Sequence, residues 1–372
     1  MNKFGFIAHP IDFKTFYGHL GLVGKLLKML PDNISRRFNV SMPPRVLSSY
    51  GKIRFINGEI SGDVVTLPLI PIQIASLGEE RVLGLIKKGI ELCARRGAQI
   101  VGLGGFTSVV GNEGEVLSKR VSVPLTSGNT LTASLALDGI YKASYAMNLS
   151  LREATAAVIG ATGDIGSICT KILSKKVKKL NIAARNEQKL NNFANVIRKY
   201  GSADVEVFKY TKDAVKNADI VLSAASSVTT IIEPSSLKSG AIVCDIAIPA
   251  NIAKEVAILR DDILMFEGGL AKLPYYDDIL NNAVKDLLPK NSMYGCLAET
   301  MVLALEGRFE PFSMGRGNIT ENKIEEIKSM ASKYGIIVAD FFCGYKLFSD
   351  EDIDNIRKNS ERNRDKVYVA QR

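Results

Sequence analysis

Gly160-Ala161-Thr162-Gly163-Asp164-Ile165-Gly166 follows the apolar run Ala154–Ile159 and precedes a segment of helical texture. Glycines in that setting permit a tight turn after a strand and a close approach of backbone to a phosphate. The helix that follows adds unpaired N–H groups and its positive end. A turn that binds nothing is the plainer reading, and the strand–turn–helix context weighs against it. Working outward, the apolar runs Leu180–Ala184, Val205–Phe208, Ile220–Ala224 and Ala241–Ile246 recur with helical or loop material between them. That alternation is expected of a parallel sheet. The fold class is therefore α/β, a doubly wound Rossmann-type parallel sheet spanning residues 151–269.

The turn is spaced GxxGxxG rather than GxGxxG, nearer to short-chain and related reductases than to the older dehydrogenase fingerprint. At the end of the second strand, where an enzyme specific for NAD places a carboxylate, the chain has Ala183-Ala184-Arg185-Asn186. An arginine there pairs with a 2′-phosphate and nothing repels it, so NADPH is the expected cofactor. The plainer reading leaves Arg185 as a solvated residue. The expected cofactor contacts are Gly160, Thr162, Gly163, Asp164, Ile165, Gly166, Arg185, Asn186 and, at the end of the fourth strand, Ala224.

On either side the texture differs. Residues 1–150 read as an α/β substrate domain: short apolar runs such as Phe4–Ala8 accompany a helical stretch, Arg81 to Arg96, that stops at Gly97. Ile100 to Leu103 then reads as a buried strand leading into Gly104-Gly105. Residues 270–372 read as a C-terminal helical segment with a basic tail. Pro289 to Ser292 supplies a start signal for an apolar helix from Met293 to Leu305. A second helix is expected from about Thr320 to Tyr334, ending at Gly335, and the polar residues from about Asn355 are expected to fray.

With 372 residues, 46% of them hydrophobic and 23% charged, the chain has the composition of a folded protein of about two domains, which excludes disorder and low-complexity classes. No apolar run reaches the roughly 18 to 20 residues of a spanning helix, and the first ten residues lack the apolar core of a signal peptide. The expected address is the cytoplasm. Five scattered cysteines without a CxxC, and only His9 and His19, exclude a disulfide scaffold and a zinc site, so no metal is expected. The net charge of +9 favours an acidic partner. Lysines cluster at Lys175, Lys176, Lys178 and Lys179, and a basic tail carries Arg357, Lys358, Arg362, Arg364 and Lys366. Such runs are commonly solvated faces.

Four cysteines, Cys93, Cys169, Cys244 and Cys343, lie inside apolar or strand-like runs and read as packing residues. Cys296 follows Gly295 in the expected first turn of the apolar helix, where the dipole and free N–H groups lower a thiol pKa. A thiolate beside a nicotinamide points to covalent acyl chemistry followed by hydride delivery. A buried, inert thiol is the alternative.

Phe4-Gly5-Phe6-Ile7-Ala8-His9, Gly102-Leu103-Gly104-Gly105-Phe106-Thr107-Ser108, Thr126-Ser127-Gly128-Asn129-Thr130, Gly160 through Gly166, Ala184-Arg185-Asn186, Glu267-Gly268-Gly269, Cys296-Leu297-Ala298-Glu299 and Leu305-Glu306-Gly307 occur in that order. Together they resemble the long-chain acyl-[acyl-carrier-protein] reductases, over about residues 4 to 340. Members of that family reduce a fatty acyl thioester, on carrier protein or coenzyme A, to the aldehyde with NADPH. The resemblance implies a nucleophilic Cys296. It makes Ser127, Asn129 and Thr130, together with Thr107, candidate donors to the oxyanion, and His9 a candidate to deprotonate the thiol. Each of these has a plainer reading as a turn or strand-end residue. It also implies an acyl carrier protein or acyl-coenzyme A as partner, which the positive charge fits. No nucleic acid and no integral membrane segment are expected, and the charge leaves peripheral membrane contact open. The chain departs from the family pattern at Asp245-Ile246-Ala247-Ile248-Pro249, where a glycine pair is usual, and beyond about residue 340. Two other functions compete. One is an NADP-dependent dehydrogenase of a small hydroxy or amino acid, like shikimate dehydrogenase, which leaves Cys296 replaceable and needs a carboxylate-binding arginine in the cleft, for which the sequence offers no clear candidate. The other is an NADPH-binding sensor or scaffold without turnover.

Overall fold

Side chains alternate across a strand, and β1 (Asn2–Ala8) uses both faces: Phe4 and Phe6 join one apolar cluster and Ile7 another. The computed structural model describes residues 1–13, 17, 39–227, 231–252, 255–275, 288–344 and 346–370; His19 lies outside them. β1 is the middle strand of a five-stranded sheet with β2 (Arg45–Phe55), β3 (Gly58–Thr66), β4 (Ile100–Leu103) and β5 (Leu125–Thr126). The order is β2-β3-β1-β4-β5, and only β2 is antiparallel to its neighbour. Helix α1 (Glu79–Arg95) covers one face with Val82, Leu83, Ile86 and Ile90. Gly97, at φ +91°, ends it in the left-handed conformation that glycine adopts without strain.

The second sheet contains β6 (Thr155–Ile159), β7 (Lys179–Ala183), β8 (Asp204–Phe208), β9 (Ile220–Ser223), β10 (Ile242–Asp245) and β11 (Leu264–Glu267). Every neighbouring pair is parallel. The order β8-β7-β6-β9-β10-β11 is that of doubly wound dinucleotide-binding sheets, with the reversal between β6 and β9. The sixth strand, β11, is not anticipated by the sequence reading; a four-residue run gives little periodicity to read.

One helix serves both layers. α2 (Asn129–Ala146) places Leu131 and Leu135 in the cluster of the first sheet, and Ala133, Ala136, Leu137 and Ile140 in that of the second. The helix is buried on most of its circumference, and Asp138, Lys142 and Tyr145 form its remaining outward stripe. On the second sheet, α3 (Asp164–Leu173) follows β6 and α4 (Glu187–Tyr200) follows β7.

The last third of the chain packs onto both layers. Residues Ser292–Tyr294 form a strand, β13, antiparallel to β12 (Leu270–Lys272), so the apolar helix α5 starts at Gly295 rather than Met293 and runs to Leu305. Its Met301 and Val302 cover the face of the first sheet opposite α1. Helix α6 (Glu321–Lys333) is capped by the Thr320 hydroxyl, which accepts from the Lys323 N–H. The expected fraying tail is instead helix α7 (Asp350–Ala370). Ser349 and Asp352 cap it reciprocally, and Ile353 and Ile356 are buried against the second sheet. Charged composition alone hides those two anchoring positions.

Candidate active site

At the end of β6, Gly160 adopts φ +82°, and a Cβ there would lie 2.7 Å from the Ala224 carbonyl oxygen at the end of β9. A Cβ on Gly166 would lie 2.2 Å from the Gly160 oxygen, so the first turn of α3 needs glycine to pack on the loop. Gly163 meets nothing closer than 3.2 Å, leaving its outer side open. A turn against the neighbouring strand, an open middle and a close-packed helix are the three requirements of a pyrophosphate cradle, and these residues fit a dinucleotide. Gly160 and Gly163 line a cavity of about 470 Å³ at the sheet's reversal point, joined there by Thr162, Asp164, Ile165 and Ala224, whereas Gly166 packs behind the loop and does not line it.

One end of that cavity is cationic. Arg185, Lys189 and Lys209 line it beyond the ends of β7 and β8, and Arg185 is exposed, with no ion pair among the described residues. Asn186 also lines the cavity, while its side chain accepts from the Lys189 N–H and caps α4.

Cys296 lines the same cavity, as the second residue of α5. It is half-buried, whereas the other four cysteines are buried. Gly128 backs it so closely that a Cβ on Gly128 would fall 2.3 Å from that of Cys296. Backbone N–H groups of Gly105 and Leu297 bond the thiol, but burial outweighs them and pushes it up to about 11. The low thiol pKa expected from the helix start is thus corrected: desolvation wins over the dipole. The same burial pushes Cys93 and Cys169 up to about 12.

The remaining predicted residues divide. Ser127 and Asn129 line the cavity. The Ser127 hydroxyl donates to the Ser313 carbonyl at 2.5 Å, and Asn129 Nδ2 donates to Asp164 Oδ2 at 3.0 Å. Thr130 and Thr107 are buried away from it: Thr130 bonds the Ser313 hydroxyl and Thr107 donates to the Gly104 carbonyl. Both ring nitrogens of His9 are engaged by backbone groups and not by the thiol. Its Nε2 accepts from the Phe106 N–H at 3.0 Å and its Nδ1 lies 3.1 Å from the Pro10 carbonyl, which fixes the proton on Nδ1. Burial lowers its pKa, so the ring is neutral and holds the Gly105–Phe106 turn.

This is an NAD(P)-binding fold of the oxidoreductase type. Residues 142–266 match the family model described as Shikimate / quinate 5-dehydrogenase. The chain is 30% identical over 345 residues to the aminotransferase PigE of Serratia sp., covering 90% of this chain but only 39% of PigE's length. It is 27% identical over 339 residues to the long-chain acyl-[acyl-carrier-protein] reductase of Synechococcus elongatus, covering 85% of this chain and 97% of that protein. A glutamyl-tRNA reductase of Cyanophora paradoxa matches at 25% identity over 51% of this chain and 44% of its own length.

Several residues of the site escape sequence reasoning. Glu299 is fully buried, and its carboxylate accepts from the Leu131 N–H at 2.7 Å, the Ser313 hydroxyl at 2.8 Å and the Thr126 hydroxyl. It thereby ties α5 to the start of α2, and burial raises its pKa. Asp245, at the end of β10, is pushed up to about 7 by burial although the N–H groups of Ile252 and Ala247 bond it. Arg316 lines the cavity and pairs with buried Glu113. The only local signal for Arg316 is the tripeptide Gly315-Arg316-Gly317.

The lysine cluster is mostly neutralised. Lys175 pairs with Glu321, Lys178 with Glu153 and Lys179 with Glu206. Among the described residues no group of three or more His, Cys, Asp or Glu is placed to hold a metal ion, and no helix is long and apolar enough to cross a membrane.

Proposed function

We propose that the protein reduces a long-chain fatty acyl thioester, carried on acyl carrier protein or coenzyme A, to the fatty aldehyde with NADPH, through an acyl-enzyme on Cys296. The observation that carries this reading is that Cys296, alone of the five cysteines in not being fully buried, shares one cavity with the glycine turn. Arg185, Lys189 and Lys209 at the far end of that cavity favour the 2′-phosphate of NADPH.

In this mechanism the Cys296 sulfur attacks the acyl carbonyl carbon, a C–S bond forms to the enzyme, and the carrier leaves as its thiol with the proton Cys296 gives up. NADPH, held by the Gly160–Gly163 turn and Arg185, would supply the hydride that reduces that carbon. The resulting thiohemiacetal collapses, its C–S bond breaks, and the aldehyde departs as Cys296 regains a proton from solvent. The N–H groups of Gly105 and Leu297 bond the thiol and stabilise the sulfur when it carries negative charge. His9 keeps the Gly105–Phe106 turn in place.

The test is to incubate the protein with a long-chain acyl thioester without NADPH, and to search by intact mass and peptide mapping for an adduct. An acyl group on Cys296 that NADPH then discharges as aldehyde is the expected result. No adduct and no aldehyde, with carrier-bound and coenzyme A substrates both competent, would overturn the reading.

A second reading is an NADP-dependent dehydrogenase of a small hydroxy or amino acid. Arg316 supplies the cleft arginine that such an enzyme requires, and the family-model match favours the same class. It predicts oxidation of a small acid with NADP⁺ that survives Cys296→Ser.

A further inference from the structure

We propose that Arg316 binds the pyrophosphate of the dinucleotide, reaching it from outside the parallel sheet; the inference rests on the NADPH reading above. Three observations meet at this side chain. It lines the same cavity as Gly160 and Gly163 and is about half exposed there, with a side-chain accessibility of 47%. Its loop is fastened to the start of α3: the Gly317 N–H donates to Asp164 Oδ1 at 3.1 Å, and Asp164 is the first residue of the helix that follows the glycine turn. Arg316 is therefore one residue from a direct bond to the place where a pyrophosphate rests in this fold.

The third observation is how the guanidinium is held. Its Nη2 donates to Glu113 Oε1 at 2.9 Å, and Glu113 is buried. Glu113 has φ +55°, and Gly315 and Gly317 have φ +81° and +82°. A non-glycine residue in the left-handed region costs on the order of 1 kcal/mol or more and persists only where its surroundings impose it. The Gly315 N–H also donates to the Glu113 carbonyl at 3.0 Å, so both ends of the pair are tied. One carboxylate oxygen takes one of five N–H groups, and the rest of the fork remains for a second anion. Glu113 and Asp164 are carboxylates near the same spot, and without the arginine they would repel a pyrophosphate. The guanidinium both offsets them and offers paired donors to phosphate oxygens.

The phosphate could instead come from the carrier arm of the thioester substrate, and binding measurements separate the two sources. NADPH is titrated into the full-length protein by its fluorescence, and adenosine 2′-monophosphate, which has no pyrophosphate, is measured by displacement. Arg316→Ala is expected to raise the Kd for NADPH by about tenfold or more and to leave adenosine 2′-monophosphate unchanged, whereas Arg185→Ala weakens both. An NADPH Kd within about twofold of wild type, or equal weakening of both ligands, overturns the proposal. An unchanged NADPH Kd with a raised half-saturation of Cys296 acylation by acyl-coenzyme A overturns it in favour of the carrier phosphate. Wild-type protein that fails to bind NADPH at all sinks the underlying cofactor reading instead. Because Arg316→Ala can fold poorly, the wild-type protein is also labelled with phenylglyoxal: NADPH should protect Arg316 and adenosine 2′-monophosphate should not. Equal labelling with and without NADPH overturns the assignment independently of any variant.

Discussion

Asn129 and Asp164 join the two halves of the cavity: the carboxamide of the first residue of α2 donates at 3.0 Å to the carboxylate of the first residue of α3. Both side chains are buried, so the bond is shielded from competing water. Asn129→Ala leaves one oxygen of a buried carboxylate without its donor. The expected cost is about 1–3 kcal/mol of unfolding free energy, read from urea denaturation at neutral pH. A loss under about 0.3 kcal/mol would show that the bond contributes nothing.

Cys296 should react as a desolvated thiol. With its pKa pushed up to about 11, only a small fraction is ionised near neutrality. Alkylation by iodoacetamide, followed by peptide mapping, should accelerate about tenfold per pH unit between pH 7 and 9. A plateau below pH 9 would mean that the N–H donors, and not burial, set its acidity.

His9→Ala distinguishes a base from a backbone support. If the ring only holds the Phe106 N–H, the variant should slow Cys296 acylation several-fold and keep the same slope against pH. A changed slope between pH 6 and 8 would return His9 to proton transfer.

Asp245 gives stability a pH dependence of predictable sign. Its native pKa, pushed up to about 7, exceeds the ordinary value of 3.8 because it is buried. The native state therefore holds a proton that the unfolded state has lost, and the contribution, complete below about pH 4, disappears as pH rises to about 7. Asp63 and Asp352, held near 2 by their partners, act in the opposite sense but only below their ordinary range. Asp245→Asn should thus become more stable relative to wild type as pH goes from 5 to 7.5, measured by urea unfolding. His9 acts oppositely in both proteins and cancels in that difference. A wild-type minus variant difference that is flat with pH refutes the assignment.

The parallel sheet was legible because its strands are buried on both faces and so stand out as continuous apolar runs around glycines; Thr155–Ile159 and Ile220–Ser223 are examples. The expected helix start at Met293 falls in a strand because the three residues Ser292–Tyr294 are too few to show a period, and only pairing with Leu270–Lys272 decides. The cavity-lining cysteine could be singled out from its neighbours. Its acidity could not, since desolvation depends on residues such as Gly128 and Gly105 that lie far away in sequence. Glu299 and Arg316 were missed for the same reason: their partners Leu131 and Glu113 are 168 and 203 residues distant.

Because α2 contributes to the cores of both sheets, the chain has no clean seam for recombination. A cut near residue 150 would keep α2 with the first sheet and strip the second of Ala133, Leu137 and Ile140, while α5, which the first sheet needs, would stay on the far fragment. Swapping in a different substrate half, by evolution or by an engineer, therefore has to exchange residues 129–146 and 295–305 together, two segments separated in the chain by the whole second sheet.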